Sequence, residues 1–339
     1  MKNTYFKLFG NCFIVNGYCE SILYDLENHN YYPIPNDIAN ILKEIENTEI
    51  SIDKIEQVYG KKSVDIKIIL NYFVENNLAH FVSNPKNFPK INLEWKSPYK
   101  IENAIIEFDN NRLYDVIDTI SQLNKLGCQA IEFRFIDDFN LKYFLDILNK
   151  FTDSSIRSYI IASKYNKQLT TLHYKEFVFK YRRISRLLIF VNSNISHYKK
   201  LKESMSSNSK VIYLKKELIQ SMGEKISTNS FVINTNTFIE AQSHNLGLNR
   251  KVCIDKNGFI KNFLNHNKTY GKIQDLKIKE VIESKEFQQK WGISNTKIEK
   301  CKDCQYQYMC ISNSDIFEQN GKFYKVNSCS FDPYKNLWY

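Results

Sequence analysis

The sequence has no uninterrupted apolar run that approaches the ~20 residues needed to span a bilayer. Near the start of the chain the apolar residues are interrupted by Gly10 and Asn11, so we expect no signal peptide. Histidine is scarce, and no two histidines have the spacing typical of metal ligands, so we interpret all six as surface or core residues: His29, His80, His173, His197, His244 and His266. These absences predict a soluble, cytoplasmic protein without a membrane partner.

The sequence does contain four cysteines near its end, in the order Cys301-x2-Cys304-x5-Cys310-x18-Cys329. Two thiolates close together on a turn, joined by two more through folding, are a common way to fill a tetrahedral sulfur site. Sulfur-only ligation suits both an iron–sulfur cluster and Zn²⁺. The spacing therefore predicts a metal site with these four cysteines as ligands.

The alternative for these cysteines is a disulfide between Cys301 and Cys304 with two buried thiols left over. Disulfides are rare in the cytoplasm, where clustered cysteines more often hold metal. The remaining cysteines have no matching framework: Cys12, Cys19, Cys128 and Cys253. We expect Cys128 to be a buried core thiol, because free cysteine is among the most buried residue types.

The net charge of +10 is unevenly distributed along the chain. Residues 1–90 carry 9 Lys and Arg against 11 Asp and Glu, residues 91–245 carry 22 against 16, and residues 246–339 carry 16 against 10. A basic surface favours polyanions without naming one. Because the basic residues are scattered, we interpret most of them as solvated faces rather than as a dedicated nucleic-acid patch, and we expect no nucleic-acid partner.

The first ninety residues combine strand-like and helical patterns. Alternating apolar runs predict strands at Tyr5–Phe9, Cys12–Val15, Ser21–Leu26, Tyr31–Ile34 and Ala79–Val82. Helical periodicity predicts one helix after Asn36 with Ile38, Ile41, Leu42 and Ile45 on one face, a second around Ile55 and Val58, and a third over Ser63–Asn77 with Ile66, Ile69, Leu70 and Phe73 as its apolar stripe. This order of elements is typical of a small winged-helix domain.

The same order of elements, with the phrases Leu23–Leu26 and Tyr31–Ile34, resembles the RiPP recognition element of ribosomal-peptide maturation enzymes. In that family a leader peptide adds a strand to the sheet edge and packs on the third helix. The resemblance implies a peptide groove formed by Tyr31, Tyr32, Ile66, Leu70 and Phe73. A DNA-binding winged helix is the alternative, and the negative charge of this segment disfavours it.

After a proline-containing linker over residues 84–98, short apolar runs alternate with helical ones. Strands are predicted at Ala104–Phe108, Ala130–Phe135, Tyr159–Ala162, Leu187–Val191, Val211–Leu214 and Phe231–Ile233. Helices are predicted at Leu113–Leu126, Leu141–Phe151, Leu172–Arg183, Ile195–Met205 and Lys216–Met222. Six such units predict an α/β protein whose mostly parallel sheet curls into a partial (β/α)6, TIM-like barrel.

A partial barrel followed by a cysteine-rich tail resembles radical S-adenosylmethionine enzymes that carry a SPASM domain. The family's catalytic Cys-x3-Cys-x2-Cys motif after the first strand is absent, since that strand runs into residues 109–112 without a cysteine. The resemblance therefore implies a catalytically degenerate barrel with no catalytic residues. Binding of S-adenosylmethionine is not expected.

The tail matches the SPASM pattern in part. Cys301, Cys304, Cys310 and Cys329 correspond to one complete auxiliary cluster, so the resemblance favours a [4Fe–4S] cluster over Zn²⁺. The other cluster is broken, because Phe263 and Ser314 stand where the pattern calls for cysteine, and Cys253 is then a lone remnant. The phrases over residues 249–262 and 329–334 resemble SPASM proteins of grasp-with-spasm systems, which accompany an ATP-grasp ligase and a small precursor peptide.

These interpretations predict three domains: residues 1–90 for peptide recognition, residues 91–245 as the degenerate barrel, and residues 246–339 as the SPASM domain. The expected function is an accessory maturation protein that binds a ribosomal precursor peptide and presents it to an ATP-grasp ligase. One alternative is a redox enzyme that acts on the precursor through an auxiliary iron–sulfur cluster. Another is a zinc-stabilised nucleic-acid-binding protein.

Overall fold

A computed structural model describes residues 4–109, 111, 113–137, 141–192, 209–218 and 226–339. The strands in these ranges are β1 (Tyr5–Leu8), β2 (Cys12–Asn16), β3 (Ser21–Asp25), β4 (Asn30–Ile34), β5 (Ala79–Val82), β6 (Asn103–Phe108), β7 (Ala130–Phe135), β8 (Ser158–Lys164), β9 (Ile184–Phe190), β10 (Val211–Leu214), β11 (Lys251–Ile254), β12 (Ile260–Lys261), β13 (Ile316–Gln319), β14 (Lys322–Lys325), β15 (Phe331–Asp332) and β16 (Leu337–Trp338). The α-helices are α1 (Asn36–Thr48), α2 (Ile55–Tyr59), α3 (Ser63–Glu75), α4 (Val116–Lys125), α5 (Leu141–Lys150), α6 (Thr171–Lys180), α7 (Thr235–Ala241), α8 (Ile278–Ile282) and α9 (Lys285–Gln288).

The amino-terminal segment folds as its apolar patterns predict. β2, β3 and β4 form an antiparallel sheet in that order, and β1 pairs antiparallel with β5, which returns after α3. The apolar sides of α1 and α3 meet in one core that contains Leu42, Ile45, Ile66 and Leu70. Val58 is the exception to the predicted core, because 51% of its surface remains exposed on the short helix α2.

A seven-stranded, mostly parallel sheet forms the middle of the molecule, in the order β10–β9–β8–β7–β6–β11–β12. Strands β6 to β10 are parallel neighbours, and β11 adds in parallel to β6 at the other edge. β12 runs antiparallel to β11. This arrangement confirms an α/β protein with a mostly parallel sheet.

The two faces of this sheet have different coverings because side chains alternate along each strand. One face packs on α4, α5 and α6 and contains Ile106, Phe133 and Ile161. The opposite face, which we call the inner face, is turned toward the carboxyl-terminal segment. Its residues include Ile105, Glu132, Arg134, Arg186, Leu188, Ile212, Leu214 and Cys253.

Two expectations for the middle of the chain need correction. Phe231–Ile233 is not a strand of the sheet, and the sixth parallel strand is β11 instead. The residues of this segment pack against the cysteine motif instead. The Phe231 ring stacks on Tyr306 with centroids 4.8 Å apart, and the Val232 N–H donates to the Met309 carbonyl at 2.8 Å. The described part of the helix predicted at Lys216–Met222, residues 216–218, is not helical. The helix predicted at Ile195–Met205 lies outside the described residues.

The predicted linker is packed against the fold rather than separate from it. It begins with a single helical turn at Pro85–Asn87, and the Ile91 N–H then donates to the Gly10 carbonyl at 3.1 Å. The Lys90 ammonium donates to the Cys12 carbonyl at 2.9 Å. The domain boundaries at residues 90 and 245 stay predictions. Within the described ranges, no helix combines the length and the apolar character needed to cross a membrane.

Candidate metal centre

All four cysteines of the carboxyl-terminal motif line one cavity of about 40 Å³. They are Cys301, Cys304, Cys310 and Cys329, and each is free and partly buried. The predicted alternative, a disulfide between Cys301 and Cys304, is not formed. Folding thus brings Cys329 across 18 intervening residues to the three cysteines that lie close together in sequence.

Tight turns shape the first part of this motif. Lys300 has the left-handed backbone conformation, with φ of 68°, and reverses the chain just before Cys301. The Cys304 N–H then donates to the Cys301 carbonyl at 3.1 Å, and the Cys310 N–H to the Tyr306 carbonyl at 3.1 Å. The buried Asn295 amide donates to the Cys310 carbonyl at 3.1 Å, which holds the end of the turn in place.

Two backbone bridges fix the last two cysteines relative to the rest of the fold. Cys310 lies in an antiparallel bridge with Phe231, and Cys329 in a parallel bridge with Ile226. Both partners come from the segment that precedes α7. The cysteine positions therefore depend on long-range backbone pairing as well as on local turns.

Four aromatic residues form part of the remaining cavity wall. Phe231, Tyr306, Phe331 and Trp338 line the cavity, and the Tyr306 ring centroid lies 5.0 Å from that of Phe331. The rings of Phe331 and Trp338 are 4.8 Å apart. Such a wall lowers the local dielectric constant and strengthens the electrostatic interactions of any charged group inside it.

This surrounding makes the Cys304 and Cys310 thiols hard to ionise when no cation is bound. Burial raises the pKa of Cys310 to about 11 and also raises that of Cys304. Neighbouring cysteines of the motif raise both pKa values further, although Lys325 opposes them at Cys310. A bound metal reverses this balance, since its positive charge stabilises the thiolate form.

Three groups are placed to stabilise negative charge on sulfur. The Phe331 N–H donates to the Cys329 Sγ at 3.4 Å, and the Tyr306 N–H hydrogen-bonds to Cys304. Lys325, on β14, lines the cavity and hydrogen-bonds to Cys301. Burial alone would lower the pKa of Lys325, but the charges of Cys301 and its partners outweigh burial, so that pKa is raised overall. A buried cation beside four thiols fits a negatively charged sulfur-ligated group.

The donor set is made only of sulfur, which suits both Zn²⁺ and an iron–sulfur cluster. The described residues contain no group of three or more His, Cys, Asp or Glu side chains arranged to hold one metal ion. A tetrahedral Zn²⁺ site would draw the sulfurs to about 2.3 Å from one central ion and leave no cavity between them. A [4Fe–4S] cluster would take one cysteine for each iron.

The other cysteines do not join this site. Cys12, Cys128 and Cys253 are buried, and burial raises the pKa of each to about 12. The burial of Cys128 confirms it as a core thiol. Cys19 is exposed. Ser314 and Phe263, which occupy positions where the SPASM pattern has cysteine, line a different cavity on the inner face.

The amino-terminal segment docks directly on the cysteine motif. The Tyr24 hydroxyl is buried and donates to the Gln305 carbonyl at 2.8 Å, and the Tyr18 N–H donates to the Asp303 carbonyl at 2.8 Å. Tyr31 on β4 packs its ring edge-on against Tyr306, with centroids 5.9 Å apart. Gly17 approaches so closely that a Cβ there would lie 2.6 Å from the Gln305 side chain.

The five residues predicted to form a peptide groove are not gathered on one surface. Ile66, Leu70 and Phe73 are 2%, 0% and 4% exposed and belong to the core of the amino-terminal segment. Tyr31 contacts Tyr306, whereas Tyr32 packs against the core of the amino-terminal segment. A cavity of about 250 Å³ adjoins α3 on the side of β1 and β5 rather than β4, and its lining includes the predicted groove residue Leu70 together with Lys67 and Asn71.

The opposite side of α3 is apolar and exposed, which the sequence-based prediction missed. Val64, Ile68 and Tyr72 follow one another at four-residue intervals and are 63%, 62% and 58% exposed. Their spacing places them on one side of the helix. The signal was present in the sequence, because α3 is apolar on more positions than one buried stripe needs.

Comparisons with known proteins add little to this description. No protein-family model matches the chain, and no curated protein matches it. A solved structure that aligns over much of the chain is the crystal structure of SuiB from Streptococcus suis, which has 13% sequence identity and a TM-score of 0.33. The alignment covers 90% of this chain and 94% of SuiB.

Proposed function

We propose that this protein is an accessory maturation factor that binds a ribosomal precursor peptide and presents it to an ATP-grasp ligase. The observation that carries the proposal is the convergence of Cys301, Cys304, Cys310 and Cys329 on one cavity. Their spacing resembles the SPASM pattern, and the phrases over residues 249–262 and 329–334 resemble the SPASM proteins of grasp-with-spasm systems. The convergence supports reading that spacing as a built site rather than as chance.

In this proposal the four cysteines hold a [4Fe–4S] cluster, with Lys325 as a nearby compensating charge. When bound, such a cluster supplies a rigid cross-link between chain segments and a centre that can accept or donate one electron. Tyr24 and Tyr31 of the amino-terminal segment contact Gln305 and Tyr306, which lie within the cysteine motif. A cluster bound by the four cysteines would therefore hold the peptide-recognition segment in a fixed position relative to the inner face.

The proposed recognition surface is the exposed apolar side of α3. An extended peptide that lies along a helix needs apolar contacts that the folded core does not already use. Val64, Ile68 and Tyr72 meet that condition, while Ile66 and Phe73 do not. Lys67, in the adjoining cavity, adds a cation for an acidic residue of the peptide.

A binding experiment with the full chain tests this proposal. A fluorescein-labelled precursor peptide, encoded beside this protein, is titrated with wild type, Ile68→Asp and Leu172→Asp. Ile68 and Leu172 are both 62% exposed on helices, so the second variant is a matched control for the introduced charge. We expect Ile68→Asp to weaken binding at least about tenfold, the effect of ~1.4 kcal/mol, with Leu172→Asp unchanged.

The same titration separates the rival functions. Adding the ATP-grasp ligase to the peptide complex should give a ternary complex by size-exclusion chromatography. Equal binding of random-sequence DNA and precursor would favour a nucleic-acid-binding protein. Release of 5′-deoxyadenosine from S-adenosylmethionine under reducing conditions would favour a redox enzyme. Unchanged peptide affinity in Ile68→Asp would contradict recognition by α3.

A further inference from the structure

A second, larger cavity of about 460 Å³ lies between the inner face of the sheet and the carboxyl-terminal segment. Its floor comes from β7, β9 and β10, and its opposite wall includes Ser312 and Ser314. Charged side chains line the floor, although an inner sheet face is usually apolar. The cavity is separate from the residues that the sequence identified as a site, apart from Ser314 and Phe263 at its wall.

Arg134 is the most unusual of the lining residues. It is 7% exposed, and its Nε donates to the Glu132 Oε1 at 2.6 Å. Its Nη1 is buried and has no hydrogen-bond partner. A buried guanidinium donor without an acceptor is costly, and the cost disappears when an anion supplies the acceptor.

Arg186 faces the same space from two strands away. The parallel registers place Glu132 beside Ile160 and Ile160 beside Arg186, so the Glu132 and Arg186 backbones lie two strand spacings, about 10 Å, apart. Arg186 is exposed and has no hydrogen-bond or ion-pair partner among the described residues.

The charges around this cavity favour an anionic ligand. Among the described residues that line it, Arg134, Arg186 and Lys216 are cationic and Glu132 is the only carboxylate, while Glu107 lies beside Arg134 on the neighbouring strand. The planar guanidinium groups match the two oxygens of a carboxylate.

We propose that this cavity binds a carboxylate, with the Arg134 Nη1 and the Arg186 guanidinium as its donors. The source of the carboxylate is an acidic side chain of a bound peptide, and this part of the proposal rests on the function proposed above. The cavity would then hold an Asp or Glu of the peptide while α3 holds another part. Carboxylate binding itself requires only the residues of the inner face.

The test is isothermal titration calorimetry on the full chain with defined probes. Two synthetic peptides that differ only by Glu or Gln at the centre are compared with acetate, succinate and inorganic phosphate. We expect the Glu peptide to bind at least about tenfold more tightly than the Gln peptide. Arg186→Gln should remove at least about fivefold of that preference, and the exposed Arg182 serves as the control in Arg182→Gln.

Arg134 needs a paired variant, because removing it alone leaves Glu132 without its partner. The double variant Glu132→Gln with Arg134→Gln should fold, as judged by its melting temperature, and should lose the preference for Glu. Succinate binding as tight as that of the Glu peptide would support the carboxylate site and assign it to a free acid. Tighter binding of phosphate than of any carboxylate, or equal binding of the two peptides, would overturn the inference. Ile68→Asp should leave succinate binding unchanged, which separates this site from recognition by α3.

Discussion

The two cavities of this protein lie close together and have opposite chemistry. One holds about 40 Å³ between four thiols and an aromatic wall, and the other about 460 Å³ between arginines, a carboxylate and hydroxyl groups. Ile226 lines both, so the cavities share part of one wall. The small cavity fits a group that soft ligands hold in place and that excludes water. The large cavity fits a ligand that enters and leaves.

The two cavities also depend on different parts of the fold. The thiol cavity is built from turns and bridges of the carboxyl-terminal segment, with Tyr24 and Tyr31 packed behind it. The arginine cavity is built from the strand register of the central sheet, closed by residues 312–314. A substitution in one of these two parts should therefore affect the cavity built from that part before it affects the other.

The largest effect is expected from Cys304→Ser, which breaks the thiol cavity. Loss of one ligand should abolish metal binding, and because metal affinity is partly folding free energy, we expect the melting temperature to fall by about 10 °C. Metal analysis and a thermal melt by circular dichroism check this. Cys19→Ser is the control, since Cys19 is exposed and outside the site. Full metal occupancy in Cys304→Ser would remove Cys304 from the ligand set.

A smaller effect is expected from Gly247→Ala, which disturbs the wall of the arginine cavity. A Cβ at Gly247 would lie 1.9 Å from the Ser312 carbonyl oxygen, so the backbone at residues 312–313 must shift. We expect a loss of ~2–4 kcal/mol of unfolding free energy in urea. Gly292→Ala is a matched control, because a Cβ there meets no atom within 4 Å. Equal stability of the two variants would contradict the close packing of this wall.

The thiol cavity could be predicted from the sequence, whereas the arginine cavity could not. The spacing of Cys301, Cys304 and Cys310 identifies the thiol cavity, because metal ligation restricts both residue type and spacing. Arg134 and Arg186 lie in apolar strands far apart in sequence, and only the strand register brings them to one face. Phe231 misled the prediction for a related reason, since its alternating pattern is the same whether it packs in a sheet or against Tyr306.

In the amino-terminal segment, the sequence predicted the positions of strands and helices well, but it did not predict which apolar side chains of α3 are exposed. The strand at Ala79–Val82 and the helix at Ser63–Glu75 lie where the periodicity placed them. The periodicity could not say which apolar residues of α3 fold into the core. Ile66 and Val64 have the same chemistry, and only packing buries the first and leaves the second exposed.

The smallest expected effect is a pH-dependent change in stability at Glu240. Burial raises the pKa of Glu240 on α7 to about 7, while the hydrogen bond from Asn249 opposes the shift. Because the folded-state pKa is above the unfolded value, ionisation of this carboxyl destabilises the fold increasingly between about pH 4.5 and 7, and the penalty is constant above that range. Glu240→Gln keeps the acceptor for Asn249, whose amide lies 2.8 Å from Oε1. We expect it to raise the melting temperature by about 2–4 °C at pH 8 and by less at pH 5.

The control for this prediction has the opposite sign. A hydrogen bond from Lys100 lowers the pKa of the exposed Glu283, so Glu283→Gln should be slightly destabilising at pH 8 and closer to neutral in more acidic buffer. Thermal melts of the two variants distinguish the effect of a pKa raised by burial from that of a pKa lowered by a hydrogen bond to Lys100. A melting temperature of Glu240→Gln that is equal to wild type at pH 8 would show that Glu240 carries no penalty in the folded protein.

The measurement that tests the central claim most directly is the iron and acid-labile sulfide content of the full chain after anaerobic purification. If Cys301, Cys304, Cys310 and Cys329 hold one [4Fe–4S] cluster, the protein should contain about four irons and about four sulfides per chain. Its absorbance should bleach on reduction with dithionite. One zinc per chain, without iron or sulfide, would contradict the account and assign the four cysteines to a structural zinc site.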